Sequence, residues 1–301
     1  MRTNKFKGFG IALITPFKND GSVDYDALLS LVDYQIDNHV DFLCILGTTA
    51  ETPCLTPAER QTIRQRVVER VRGRVPVLMG CGGNCTAAVV DEIRHADWTG
   101  IDGILSVCPM YNKPTQEGLY QHYKAIAEVS PLPVVLYNVP GRTGVNLIAD
   151  TTLRLAHQYP NIVAIKEASG KMDQIKDILE KRPEGFDVIS GDDSLTLSVM
   201  QAGGVGIISV AGNAIPGIFG RMVHLMQEGR LAEARIINDD LFEFYSMMFY
   251  EGNPAGVKSA LSTLGKIENQ LRLPLVPVSE ATRTRISELL QGQMLSSHSL
   301  F

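Results

Sequence analysis

Lys166 closes an apolar run, Asn161-Ile162-Val163-Ala164-Ile165-Lys166-Glu167-Ala168-Ser169-Gly170, that reads as a strand buried on both faces. An ammonium group has no obvious place at the mouth of such a strand, because an unpaired buried charge is costly. Two readings fit these residues alone. In one, the lysine snorkels from the strand end into water or pairs with Glu167. In the other it loses its proton and serves as an amine nucleophile. An ordinary lysine, with a pKa of about 10.4, is neutral near pH 7 in only about one molecule in a few thousand, and burial raises that fraction.

Other groups able to do chemistry also follow apolar runs. Gly47-Thr48-Thr49-Ala50-Glu51 sets two hydroxyls and their amides beside a glycine, which can hold a carboxylate or form only a turn and helix cap. Tyr137-Asn138-Val139-Pro140-Gly141-Arg142-Thr143-Gly144 offers a phenol and a guanidinium. These suit a proton relay and a second carboxylate, or else a barrel-capping tyrosine and a loop charge. Pro109-Met110-Tyr111-Asn112-Lys113-Pro114 adds another phenol, and Gly191-Asp192-Asp193 two adjacent acids. Neighbouring acids point in different directions, so helix capping accounts for them better than a metal. A lysine, a tyrosine, two threonine hydroxyls and an arginine together are equipment for forming an imine with a 2-oxo acid and moving protons around it.

The elements that must position these residues alternate along the chain. Strands are predicted at 10–14, 42–46, 75–79, 103–107, 134–137, 162–166, 188–190 and 206–208. Helices are predicted at 25–38, 57–71, 87–97, 116–128, 149–158, 172–181, 194–201 and 216–227. Thr56-Pro57-Ala58-Glu59 carries an N-cap, a first-turn proline and a capping-box acid. Gly73, Gly100 and Gly203-Gly204 are suited to helix exits. Eight β-then-α units predict an α/β fold, a (β/α)8 TIM barrel over 1–228. An open doubly wound sheet would carry a glycine-rich phosphate turn after its first strand, and none is present. Gly80-Cys81-Gly82-Gly83 lacks the dinucleotide spacing and no Walker lysine follows it. Residues 229–301 read as a C-terminal helical extension, with helices at 231–250, 256–264 and 279–290 and a polar, mobile tail at 296–301.

Composition narrows the function classes. The 301 residues are 45% hydrophobic and 20% charged, with a net charge of -5, which offers no footprint for nucleic acid or an anionic membrane. No apolar run reaches the length of a membrane span. The basic start, Met1-Arg2-Thr3-Asn4-Lys5-Phe6-Lys7, precedes a short apolar run and Pro16, which fits a first strand better than a secretion signal. The five cysteines contain no CxxC, and the six histidines lack metal-ligand spacing. A reduced, cytoplasmic location without zinc is the expectation, and there Asn84-Cys85-Thr86 has no meaning as a glycosylation acceptor.

At Gly47–Glu51, Tyr137–Gly144 and Lys166–Gly170 the chain resembles the dihydrodipicolinate synthases, the lysine-pathway branch of the pyruvate-dependent, Schiff-base class I aldolases related to N-acetylneuraminate lyase. The likeness covers the barrel and reaches Asn253-Pro254-Ala255-Gly256-Val257-Lys258 in the extension. It implies a carbon–oxygen lyase that joins pyruvate to aspartate 4-semialdehyde through an imine on Lys166, within lysine and diaminopimelate biosynthesis. It implies that Tyr137 is the general acid/base, relaying protons through Thr48 to a Tyr111 given by a neighbouring subunit of a homotetramer. Thr49 would bind the pyruvate carboxylate and Arg142 that of the semialdehyde, while Gly191 and Ile208 would line the pocket. Neither a metal nor an organic cofactor is implied. The alternatives are another pyruvate-dependent aldolase, such as N-acetylneuraminate lyase or a 2-keto-3-deoxy sugar-acid aldolase, and a non-catalytic 2-oxo acid binder. N-acetylneuraminate lyases usually carry a Ser-Thr pair in place of Thr48-Thr49 and lack the Arg142-Thr143 pair. Binding alone needs neither Lys166 nor Tyr137.

The sequence departs from that family's pattern at several places. Ala50 stands where a glycine is usual, which predicts a small backbone adjustment. Met110 replaces a tyrosine that often precedes Tyr111. Pro57 and Arg60 occupy histidine positions of lysine-inhibited members and Ala88 an acidic one, although Asn84 is kept. Weak or absent inhibition by free lysine is the expectation.

Overall fold

Each of the eight apolar runs forms a strand in the computed structural model, which describes residues 4–297 and side chains as far as 292. The strands are β1 (Gly8–Ala12), β2 (Phe42–Ile45), β3 (Val77–Gly80), β4 (Gly103–Val107), β5 (Val134–Asn138), β6 (Ile162–Glu167), β7 (Asp187–Ser190) and β8 (Gly206–Ser209), closed in chain order into a barrel. Helices α1 (Tyr25–Asp37), α2 (Pro57–Val71), α3 (Thr86–His95), α4 (Gln116–Val129), α5 (Pro140–Thr143), α6 (Ala149–Gln158), α7 (Met172–Lys181), α8 (Thr196–Gln201) and α9 (Pro216–Gln227) follow strands. The extension is α10 (Leu231–Phe249), α11 (Ala255–Thr263) and α12 (Glu280–Ser297). Met1–Thr3, and 298–301 of the expected polar tail, lie outside the described residues. Among the described residues no helix is long and apolar enough to cross a membrane.

Contacts group the chain into two compact units. One holds the chain up to Gly10, Asp41–Cys44 and Pro76–Ile208; the other holds Ile11–Val40, Ile45–Val75 and the chain from Ser209 on. In the first, β3 to β8 pair in parallel, and nearly every strand residue is buried. That explains the near-continuous apolar runs. At Gly206 an added Cβ would fall 2.0 Å from the Gly8 carbonyl oxygen, so no side chain fits where this segment meets the first strand. In the second unit the predicted capping box of α2 is formed. The Glu59 amide donates to Thr56 Oγ1 at 3.2 Å, and the Thr56 amide donates to the Glu59 carboxylate at 2.9 Å.

His122 of α4 is buried, with Nδ1 2.8 Å from Thr86 Oγ1, and its ring packs edge-on against Tyr123. Burial pushes its pKa down to about 4. The folded protein therefore keeps this ring neutral while the unfolded chain takes up a proton below about pH 6.5. Stability should fall as pH drops through that window, by at most about 3 kcal/mol between pH 6.5 and 4. Urea midpoints read from the single tryptophan, Trp98, should drop from pH 7 to about pH 5 in the wild type and drop less in His122→Gln.

Candidate active site

Parallel pairing of β5 and β6 sets Tyr137 opposite Lys166 and Asn138 opposite Glu167. Lys166 is 5% exposed, and its Nζ lies 4.4 Å from the centroid of the Tyr137 ring. A lysine ammonium at this distance is attracted by the negative ring face, and a neutral amine there is enclosed. The snorkelling alternative is thus incorrect, because the side chain is buried. Pairing with Glu167 is incorrect as well. Successive strand residues point to opposite faces, and the Glu167 carboxylate accepts from Asn138 Nδ2 at 3.0 Å, the Ser169 amide at 3.0 Å and Gln174 Nε2 at 2.7 Å. Burial raises the pKa of that carboxyl above the usual range.

Gly191 follows β7, and its amide donates to the Glu167 carbonyl at 2.8 Å. A Cβ on Gly191 would fall 3.1 Å from Lys166 Cε and 2.7 Å from Ala168 Cβ, so the glycine leaves the room that the lysine stem occupies. Cys44 is buried too, and burial pushes its thiol up to about 11 despite the nearby Lys166 charge. Ile208 is fully buried in β8.

The loop after β5 is a single helical turn, α5, begun by Pro140 and ended by Gly144 at a φ of 74°. Short-range pattern gave no signal for a helix of this length. Its Arg142 is exposed, and the Thr143 carbonyl accepts from the Tyr111 amide at 3.3 Å, joining this loop to the one after β4. Tyr111 itself is 87% exposed and sits at a φ of 70°, a conformation costly for a residue other than glycine. Behind the loop, Asn138 Nδ2 also donates to Asn146 Oδ1 at 2.8 Å, and Asn138 Oδ1 accepts from the Leu147 amide at 2.9 Å. This buried Asn138–Glu167 network escaped the sequence reading. Two polar residues, each following the chemically interesting Tyr137 or Lys166, were its only signal.

In the other unit, residues Thr48–Ala50 form one turn of 3-10 helix after β2. Thr48 is half-buried and Thr49 only 2% exposed. Thr49 Oγ1 accepts from Asn253 Nδ2 at 3.0 Å. Ala50 does not need a positive φ, so alanine fits its backbone; Leu46 and Glu51 take that conformation instead, at 52° and 53°. The Glu51 carboxylate, wholly buried, meets Lys258 Nζ at 2.5 Å and accepts from the Arg272 amide at 3.0 Å. Among the described residues no group of three His, Cys, Asp or Glu side chains is placed to hold a metal ion.

Fold and site define a (β/α)8-barrel enzyme whose polar groups follow the strands, with a buried lysine and tyrosine side by side on β6 and β5. Residues 5–293 match the dihydrodipicolinate synthetase family, and the chain belongs to that family. It is 57% identical over 290 residues to a 4-hydroxy-tetrahydrodipicolinate synthase of Phocaeicola vulgatus, covering 96% of this chain and 98% of that protein. The crystal structure of dihydrodipicolinate synthase from Thermotoga maritima superposes with a TM-score of 0.94 at 42% identity, over 97% of this chain and 100% of the other. The chloride-inhibited dihydrodipicolinate synthase of Acinetobacter baumannii, solved in complex with pyruvate, superposes at 0.91 with 38% identity, over 95% and 98% of the two chains.

Proposed function

We propose that this enzyme condenses pyruvate with aspartate 4-semialdehyde to 4-hydroxy-tetrahydrodipicolinate through an imine on Lys166, as a carbon–oxygen lyase of lysine and diaminopimelate biosynthesis. The observation that carries the reading is the buried Lys166 Nζ held over the Tyr137 ring. The Lys166 amine adds to the pyruvate ketone, and loss of water leaves an imine. A proton leaves the methyl group and an enamine forms. Its terminal carbon bonds to the aldehyde carbon of the semialdehyde, whose oxygen takes a proton. The semialdehyde amine then displaces Lys166 from the imine carbon, closing the ring and freeing the lysine. The net change is loss of one water from the two substrates.

Tyr137 is the group for the proton transfers, its hydroxyl working with Thr48 and Tyr111. Thr48 and Thr49, which follow β2, complete this scheme. Thr49 and neighbouring amides take the pyruvate carboxylate, Arg142 takes the semialdehyde carboxylate, and Gly191 and Ile208 line the cavity. The exposure of Tyr111 on its strained turn suits a side chain that completes a neighbouring subunit's site in a homotetramer. The protonated imine is the electron sink, so the scheme calls on no cofactor. The free thiols fit a reducing cytoplasm.

The aldehyde is tested by comparing aspartate semialdehyde with sugar aldehydes at fixed pyruvate. Preference for the semialdehyde is expected, and preference for a sugar aldehyde contradicts the reading. With Pro57, Arg60 and Ala88 in place of two histidines and an acid, millimolar free lysine should leave the rate nearly unchanged. Strong partial inhibition in a steady-state assay contradicts that expectation.

A further inference from the structure

We propose that Asn253, at the turn between α10 and α11, is a positioning residue that orients the Thr49 hydroxyl toward the 2-oxo acid carboxylate. The inference rests on the proposed function, in which Thr49 binds that carboxylate.

A hydroxyl has one hydrogen to donate, and a carboxylate can only accept. The Asn253 side-chain amide donates to Thr49 Oγ1 at 3.0 Å, with both residues buried. The oxygen is then occupied as an acceptor, and its hydrogen is left for another partner. A chain from amide to hydroxyl to carboxylate runs in one direction, and each bond in it polarises the next. Held away from water, the hydroxyl needs little reorganisation when the substrate arrives.

The turn that carries Asn253 is itself fixed. Gly252 takes a φ of 98°, and the Gly256 amide donates to the Gly252 carbonyl at 3.3 Å. At Gly256 an added Cβ would fall 2.6 Å from the Met248 carbonyl oxygen, so α11 starts hard against the end of α10. The same two segments are joined a second time. Lys258 of α11 meets Glu51, two residues beyond Thr49, at 2.5 Å with both side chains fully buried. Lys258 Nζ also donates to the Gln270 carbonyl at 3.0 Å and lies 4.1 Å from the Phe17 ring centroid. A buried ion pair is weak evidence of stability, yet it fixes register well, because moving either partner strands a charge. The pair thus holds the loop and α11 in the alignment at which the Asn253–Thr49 bond forms.

The test reads the pyruvate concentration that gives half-maximal borohydride trapping, which involves no aldehyde. Asn253→Asp keeps the shape but replaces the donor with an acceptor, so the Thr49 hydroxyl turns to it and away from substrate. The half-saturating pyruvate concentration should rise about tenfold or more, with the KM for aspartate semialdehyde moving less than about twofold. Asn253→Ala should raise it less, and should add under about twofold in a Thr49→Val background, because the hydroxyl that Asn253 orients is already absent there. The two alanine and valine variants carry the test if Asn253→Asp does not fold. An unchanged pyruvate dependence in Asn253→Asp and Asn253→Ala, or effects of Thr49→Val and Asn253→Ala that multiply in full, overturns the proposal. Absence of any pyruvyl adduct on the wild-type protein overturns the functional reading on which it stands.

Discussion

Lys166→Ala is expected to lower turnover at least about 10⁴-fold and to leave no adduct after borohydride treatment with pyruvate. Water or a neighbouring group cannot replace the amine, since the imine is the electron sink for every later step. Loss of activity here should not reflect unfolding. The side chain is buried, so its removal deletes an awkward polar group and leaves the barrel strands intact. The melting temperature of the variant should therefore stay level or rise, in keeping with the usual exchange of stability for function at active sites. A variant that keeps more than a small fraction of wild-type turnover would remove Lys166 from the chemistry.

Tyr137→Phe is expected to slow turnover about 10²- to 10⁴-fold, the range typical for loss of a placed acid/base group. The ring would remain beneath Lys166 Nζ, because the 4.4 Å contact is with the ring, which phenylalanine keeps. Pyruvate should consequently still be trapped on Lys166, only more slowly. That separation of trapping from turnover distinguishes a proton-transfer role from a packing role. A phenylalanine variant with near-normal turnover would contradict the first, and one that no longer retains the fold would support only the second.

The barrel was legible because strands buried on both faces must read as unbroken apolar runs, and β2, β4 and β5 to β8 fall within about a residue of where those runs predict them. Where prediction slipped, the cause is physical. β1 starts at Gly8 and not at residue 10, because Gly8 looks like a turn residue while in fact it enters the strand at a φ of 84°. A Cβ on Gly10 would lie 2.2 Å from the Phe42 ring. The segment predicted as a helix from 194 begins as a 3-10 turn, Asp193–Leu195, with the Asp192 carboxylate accepting from the Ser194 amide, so α8 starts at Thr196. Asp192 as a cap is the role its sequence suggested. The turns at Thr48–Ala50 and α5 are too short for any periodicity to register.

The Lys166–Glu167 question had a signal that the sequence reading passed over. Adjacent residues in a strand face opposite ways, so Glu167 could not serve its neighbour once 162–167 formed a strand. The Asn253–Thr49 bond carried no such signal. Its partners are 204 residues apart, and only the packing of α11 brings them together. The same holds for Lys258 and Glu51, which look like ordinary surface residues until burial is known. Motif residues at strand ends can be read from a chain, whereas the groups that steady them from another element depend on tertiary packing.

The central claim is that Lys166 forms an imine with pyruvate, and one measurement meets it directly. The wild-type protein is incubated with pyruvate, reduced with borohydride, digested and analysed by mass spectrometry. A single adduct, adding the mass of pyruvic acid less its ketone oxygen, is expected on the peptide containing Lys166. An adduct on a different lysine, or none at all, would contradict the account.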